Sequence, residues 1–206
     1  MKKTILISFL LFIAVALQAQ EEDFSFPVKY KGKTPQISDF VTAIMSQEGL
    51  GEWMGHISEE WGKYRRGKSY KGHFKMDTRH GYIRFEEFIE DDHCVTDFCF
   101  WNCSDGCHKV VATVSNFYRG IEVVDGQYSG LSLYLYDGKN RRMEWVPDAQ
   151  LGIEQPDDIG MLTYTLPVEG KDIIATGNDP EKGFFRFVYQ WNGNGFNLLN
   201  EVNQEK

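Results

Sequence analysis

The sequence predicts an α+β fold in which an N-terminal helical pair packs on a long, mainly antiparallel β-meander. Apolar residues recur at intervals of three and four from Ile37 to Tyr64, which is the spacing of a helix face. From Gly72 onward, aromatic and β-branched residues alternate with polar ones, and turn residues return at short intervals. The pattern leaves open whether the meander forms a curved sheet or a partly closed barrel.

The first residues are typical of a secretory signal peptide. Lys2 and Lys3 precede an apolar run over residues 5–17, and small residues surround a cleavage point after Ala19. The run is shorter than the roughly 20 apolar residues of a membrane-spanning helix, and no cysteine stands at the cleavage point to carry a lipid. We therefore interpret residues 1–19 as a signal peptide and expect a soluble exported protein, periplasmic or extracellular, without membrane insertion or a lipid anchor.

The remainder divides into a short leader and one domain. Residues 20–35 are polar and charged and contain Pro27 and Pro35, so the sequence predicts a flexible leader there. Residues 36–206 are long enough to bury a sizeable core, and no internal linker interrupts them. We expect a single globular α+β domain over residues 36–206.

Two helices are predicted at the start of this domain. Ser38 is a suitable N-cap for the first helix. The second helix carries an apolar stripe that includes Trp53, Ile57 and Trp61, while Glu60 falls on its polar side. An aromatic stripe at this spacing is usually a core face, so we expect it to dock on the sheet.

Five β-hairpins are predicted after the helices. They pair segments 73–76 with 82–88, 95–102 with 109–117, 131–136 with 141–146, 162–166 with 172–176, and 184–191 with 196–199. Several of their turns combine Asp or Asn with Gly, which supplies the positive φ that tight hairpins need. A propeller would need about four blades of four strands each, which is more than this chain provides, so the turn motifs are better explained by turn chemistry than by an internal repeat.

The charge of the chain constrains its partners. The formal net charge is −8, and removal of Lys2 and Lys3 with the signal peptide lowers it to −10. Nucleic acids and anionic membranes attract basic surfaces. The composition therefore argues against both as partners.

All four cysteines lie in the stretch HCVTDFCFWNCSDGCH, residues 93–108. A zinc site is disfavoured, because Cys99 and Cys103 are four apart on a predicted strand and would lie about 13 Å from each other. A catalytic thiol is disfavoured as well. His93 and His108 adjoin cysteines in sequence, but neighbouring strand residues point to opposite faces. We assign no metal and no cofactor to this stretch.

A disulfide is the remaining interpretation of the stretch. In an oxidising compartment, Cys103 and Cys107 are predicted to face each other across the three-residue loop 104–106. Directly opposed strand residues have Cα atoms about 4.5–5.5 Å apart, which a disulfide accepts. Cys94 and Cys99 can pair only if the chain bends between them; otherwise they are small buried residues.

The sequence contains no catalytic signature. It has no phosphate-binding loop, zincin helix, nucleophile elbow or calcium loop, so no catalytic residue is assigned. Trp101, Trp145 and Trp191 lie on predicted strands and are candidates for a ligand-binding aromatic platform. We expect a non-catalytic binding domain for an envelope or extracellular ligand, either protein or glycan. The alternatives are a cell-envelope hydrolase with an unrecognised site and a small secreted enzyme inhibitor.

Two short segments near the C-terminus carry a family resemblance. The segments YQWNGNGF, residues 189–196, and LPVEGKDI, residues 166–173, resemble small exported proteins of Bacteroidota-type bacteria. The resemblance covers the last third of the chain. It implies an exported β-rich protein and brings no catalytic residue with it.

Overall fold

The computed structural model describes residues 25–68, 72–120, 122–123, 130–154, 162–179 and 183–204. The predicted signal peptide, residues 1–19, lies outside these ranges. No helix within them is long and apolar enough to cross a membrane.

The described residues form two helices, a large antiparallel sheet and a second, smaller sheet. The helices are α1 (Ile37–Ile44) and α2 (Glu52–Arg65). The strands are β1 (Phe26–Pro27), β2 (His73–Asp77), β3 (Tyr82–Ile89), β4 (Asp92–Asn102), β5 (His108–Arg119), β6 (Glu122–Val123), β7 (Gly130–Asp137), β8 (Arg142–Val146), β9 (Leu162–Thr165), β10 (Asp172–Asp179), β11 (Gly183–Trp191) and β12 (Phe196–Gln204). A short 3-10 helix covers Asp148–Leu151.

The α+β class and the antiparallel hairpins are confirmed, but the strands form two sheets rather than one meander. The large sheet has the order β1-β8-β7-β5-β4-β3-β2, with β6 beside β5, and the small sheet has the order β12-β11-β10-β9. Neither sheet closes into a barrel in the part of the chain that the structure describes. One apolar cluster joins the helices to the large sheet, and the other joins the two sheets. The architecture is therefore three layers: helices, large sheet and small sheet.

The central strands explain why both faces of the large sheet are covered. Residues 94–99 of β4 are all buried. Phe98 belongs to the helix-side cluster and Cys99 to the cluster between the sheets, because successive strand residues point to opposite faces. A strand buried on both faces needs a layer on each side. The helices supply one layer, and β9–β12 supply the other.

The start of α1 differs from the prediction by two residues. The helix begins at Ile37, and Gln36, not Ser38, is its N-cap. The backbone N–H of Gln36 donates to Oδ2 of Asp39 over 2.8 Å, which satisfies a donor that the helix itself leaves without a partner. Ser38 lies inside the first turn instead.

Helix α2 docks on the large sheet through the predicted stripe. Ile57 and Trp61 are buried, as predicted, whereas Trp53 is half-buried. Glu60 is buried although the helical pattern placed it on the polar side. Its carboxylate forms an ion pair with Lys63 one turn later, which compensates for part of the cost of removing it from water.

Part of the predicted leader, residues 20–35, is an ordered edge of the large sheet. Phe26 and Pro27 pair with β8, and the N–H of Val28 donates to the carbonyl oxygen of Arg141 over 2.9 Å. Proline has no N–H to donate to a second neighbouring strand, so it is found mainly on edge strands, where that donor is not needed. The prediction of a flexible leader is therefore wrong from Phe26 to Val28, because Phe26 and Val28 bury their side chains in the helix-side cluster.

Four hairpin turns share one local chemistry. In each, the side-chain oxygen of the first residue accepts hydrogen bonds from the backbone N–H groups two and three residues later; these first residues are Asp77, Asp105, Asp137 and Asn192. Such turns depend only on the local sequence. They account for the similar local forms of the hairpins without an internal repeat.

Candidate functional site

The predicted aromatic platform is not assembled. Trp101 and Trp191 are each only 5% exposed and lie between the two sheets. Their indole N–H groups donate to the carbonyl oxygens of Lys171 (3.1 Å) and Asn102 (3.2 Å), respectively. Of the three predicted rings, Trp145 alone is on the surface, with 55% of its area exposed. Burial of the other two rings between the sheets makes the platform prediction wrong for them.

The cysteine hairpin has a different register from the predicted one. The N–H of Cys103 donates to the carbonyl oxygen of His108 over 3.0 Å, so the loop holds four residues, 104–107. The carboxylate of Asp105 accepts the N–H groups of Cys107 and His108, both over 2.9 Å, which draws Cys107 into the turn. Cys103 therefore does not face Cys107 across the hairpin, and both are free thiols in the structure.

Cys94 and Cys99 are also free thiols. They are buried on opposite faces of β4, as alternation along an extended strand requires. No group of three or more His, Cys, Asp or Glu side chains among the described residues is arranged to hold a metal ion.

The main candidate site is a cleft between the first turn of α2 and the ends of β3, β4 and β5. We call it the Trp53 cleft; it is lined by Glu52, Trp53, His56, Ile89, Asp92, Cys94, Phe117 and Arg119. Its volume is about 460 Å³, which lies within the range of about 300–1,000 Å³ for small-ligand sites. It has an apolar floor and a charged rim.

Trp53 is held in one orientation on the floor of the cleft. Its Nε1–H donates to Oγ1 of Thr96 over 2.7 Å, and that oxygen lies 3.0 Å from Oγ of Ser115. The ring meets Phe117 edge to face, with centroids 5.1 Å apart. A hydrogen bond and a ring contact together fix the indole, so little side-chain entropy is lost when a ligand packs against it.

Two hydrogen-bonded polar pairs border the cleft, one at His56 and one at Arg119. Nε2 of His56 donates to Oε2 of Glu87 over 2.7 Å, which links α2 to β3. Arg119 donates from Nε and Nη2 to the two carboxylate oxygens of Asp92 over 2.8 and 3.1 Å. Glu52 is a further carboxylate at the start of α2.

The ionisation of the cleft residues disfavours two kinds of catalysis. Burial, with smaller contributions from Asp92 and Glu87, raises the pKa of the Cys94 thiol to about 11. A protonated thiol is a poor nucleophile. The hydrogen bond from Arg119 lowers the pKa of Asp92, so this carboxyl is ionised at neutral pH and does not serve as a general acid.

We expect the native thiols to differ in reactivity. Cys94 and Cys99 should resist alkylation by iodoacetamide at pH 7.5 because both are buried and burial raises the pKa of each. Cys103 and Cys107 are half-buried and should react first. Mass spectrometry of labelled peptides, with and without denaturant, measures this order. Fast native labelling of Cys94 would contradict the described packing, and a peptide linking Cys103 to Cys107 would support the predicted disulfide.

Comparisons with family models, curated proteins and solved structures find no match. The cleft therefore has to be interpreted from its own geometry. The helical spacing places Trp53 on the core face of α2 and does not connect it with Phe117 or Arg119. A sequence signal did exist, because Trp53 and His56 are three residues apart and so share one helix face.

Proposed function

We propose that this protein is a non-catalytic binding domain whose ligand occupies the Trp53 cleft. The observation that carries the proposal is the combination of an oriented aromatic floor with polar rim groups that are already hydrogen-bonded. A preorganised floor lowers the entropic cost of binding. The predicted signal peptide supports an envelope or extracellular location for the ligand.

The chemistry of the cleft favours a protein ligand. Trp53, Phe117, Ile89 and Cys94 offer an apolar surface that suits a buried aliphatic or aromatic anchor side chain. Lys or Arg residues beside that anchor would complement the rim, because its two carboxylates, Glu52 and Asp92, outnumber its single arginine. The ligand that fits best is therefore a peptide segment with an apolar anchor next to basic residues.

The hydrolase alternative has less support from the cleft. Hydrolysis of a glycosidic bond requires two carboxyl groups that reach the substrate, one protonated and one ionised, and both oxygens of Asp92 are occupied by hydrogen bonds from Arg119. An enzyme inhibitor would be a special case of the proposed function, in which the bound protein is a foreign enzyme. Loss of that enzyme's activity on binding would identify this case.

A peptide array tests the proposal. We expect peptides with an apolar anchor flanked by Lys or Arg to bind the wild-type protein. Trp53→Ala should weaken their binding at least tenfold in fluorescence-anisotropy titrations, as loss of an aromatic hot spot does. Glu52→Lys should weaken binding as well, because it reverses a rim charge on an exposed residue.

The control is Trp145→Ala, which removes an exposed tryptophan outside the cleft and should leave binding unchanged. Trp53→Phe keeps an aromatic ring and therefore separates a loss of binding from a folding defect. Circular dichroism verifies that each variant is folded. Equal peptide binding by the wild-type protein and Trp53→Ala would overturn the assignment of a protein ligand. So would the finding that Trp53→Ala weakens the binding of glycans but not of peptides.

A further inference from the structure

A second cavity lies on the other face of the same strands. We call it the Tyr118 cavity; its volume is about 290 Å³, and it is lined by Arg84, Glu86, His93, Val95, Asp97, Asn116, Tyr118, Gly120, Tyr164 and Thr165. Cys94 and Phe117 face the Trp53 cleft, whereas their chain neighbours His93 and Tyr118 face this cavity. The large sheet therefore separates the two sites.

A row of three stacked rings crosses the strands beside the cavity; His93 and Tyr118 line it, and Phe88 lies next to them outside the lining. Phe88, His93 and Tyr118 are register partners on β3, β4 and β5. The Phe88 and His93 rings are 4.4 Å apart and 5° from parallel, and His93 and Tyr118 are 5.7 Å apart. Nε2 of His93 also donates to Oε1 of Glu86 over 2.7 Å. The row is thus held by stacking and by a hydrogen bond.

Phe88 is 64% exposed although its neighbours hold it in place. Burial of an aromatic ring is favourable, so a ring that is fixed in place and still exposed is available to a ligand. Phe88 stacks on His93, which lines the Tyr118 cavity, so its exposed ring adjoins the lining.

The polar lining offers both donors and acceptors. Arg84 donates from Nε and Nη2 to the two oxygens of Asp97 over 2.7 and 2.8 Å, and Asp97 is only 1% exposed. Within the described ranges, Nη1 of Arg84 and the Tyr118 hydroxyl have no hydrogen-bond partner. Glu86 lines the same cavity and contributes an acceptor carboxylate. A ligand here can therefore both accept and donate hydrogen bonds.

We infer that the Tyr118 cavity is a second binding site, specific for a neutral sugar residue. Both carboxylates of the lining already have partners, Asp97 with Arg84 and Glu86 with His93, so neither an anionic nor a cationic ligand finds an unpaired charge here. Hydroxyl groups both donate and accept, and the C–H face of a sugar ring is apolar enough to pack on the exposed Phe88 ring. This site is independent of the function proposed for the Trp53 cleft.

Saturation-transfer NMR with glucose, galactose, mannose and N-acetylglucosamine tests the inference. We expect at least one of these sugars to bind the wild-type protein at millimolar concentration. Phe88→Ala and Tyr118→Phe should each weaken its binding at least fivefold. Both substitutions spare the buried pair of Arg84 and Asp97, so the fold should be retained, which thermal unfolding verifies.

Two controls separate this site from other surfaces. Phe184→Ala removes an exposed phenylalanine from the second sheet, and Trp53→Ala alters the first cleft; neither should change sugar binding. Failure of all four sugars to bind would overturn the inference. So would sugar binding that Trp53→Ala abolishes or that Phe88→Ala and Tyr118→Phe leave intact. The sugar experiment does not test peptide binding at the Trp53 cleft, which is measured separately.

Discussion

Replacing Trp61 with alanine should lower the free energy of unfolding by roughly 3–5 kcal/mol, which is typical of a large-to-small change at a buried aromatic residue. Trp61 is 3% exposed and lies between α2 and the large sheet. Its ring stacks on Tyr64 at 5.7 Å and meets Phe85 edge to face at 6.1 Å. Its Nε1–H donates to Oγ1 of Thr42 over 3.1 Å, so the substitution removes packing between both helices and the sheet.

Denaturant unfolding followed by circular dichroism measures this effect. Trp145→Ala is the matched control, because it makes the same substitution at an exposed position and should change the free energy of unfolding by less than about 0.5 kcal/mol. Equal midpoints for Trp61→Ala and wild type would show that the α2 stripe does not form the interface described here.

Arg84→Met should cost roughly 3 kcal/mol, which is the lower end of the range for breaking a buried ion pair. The carboxylate of Asp97 is almost fully buried and depends on two donors, Arg84 and the hydroxyl of Tyr82 at 2.7 Å. Methionine keeps the apolar stem of the side chain but leaves a buried negative charge without its cation. The lower end of the range applies because Arg84 is partly exposed, so water can partly replace it.

The structure supplies a matched control for this pair. Arg119→Met breaks an ion pair of the same two-bond geometry with Asp92, but that pair lies in solvent, where such pairs contribute little to stability. Its unfolding midpoint should stay close to that of wild type. Equal unfolding midpoints for Arg84→Met and Arg119→Met would show that the burial of Asp97 does not increase the contribution of its ion pair to stability.

Local sequence was sufficient to predict the hairpins. Each of the five predicted strand pairs is present, with ends that differ by at most a few residues. Turn residues such as Asp77 and Asn192 bind backbone groups only two and three residues away, so their effect can be read in a short window. The spacing of Ile57 and Trp61 likewise predicted which face of α2 is buried.

The register of the cysteine hairpin shows that the length of a turn is harder to predict than its position. A three-residue and a four-residue loop were both compatible with SDGC, residues 104–107. The side chain of Asp105 decides between them, because it binds the N–H groups of Cys107 and His108. The disulfide prediction required Cys103 and Cys107 to be directly opposed. A shift of the strand register by one position is enough to separate them.

The sequence by itself determined the helices, the hairpins and the alternation of the strands, since these depend on contacts within a few residues. Tertiary structure alone decided that the strands divide into two stacked sheets, that Trp101 and Trp191 are buried between them, and that Trp53 meets Thr96, 43 positions away. The physical reason is that burial and binding sites arise where distant segments pack together. An aromatic residue has the same local signature whether a second layer covers it or solvent reaches it.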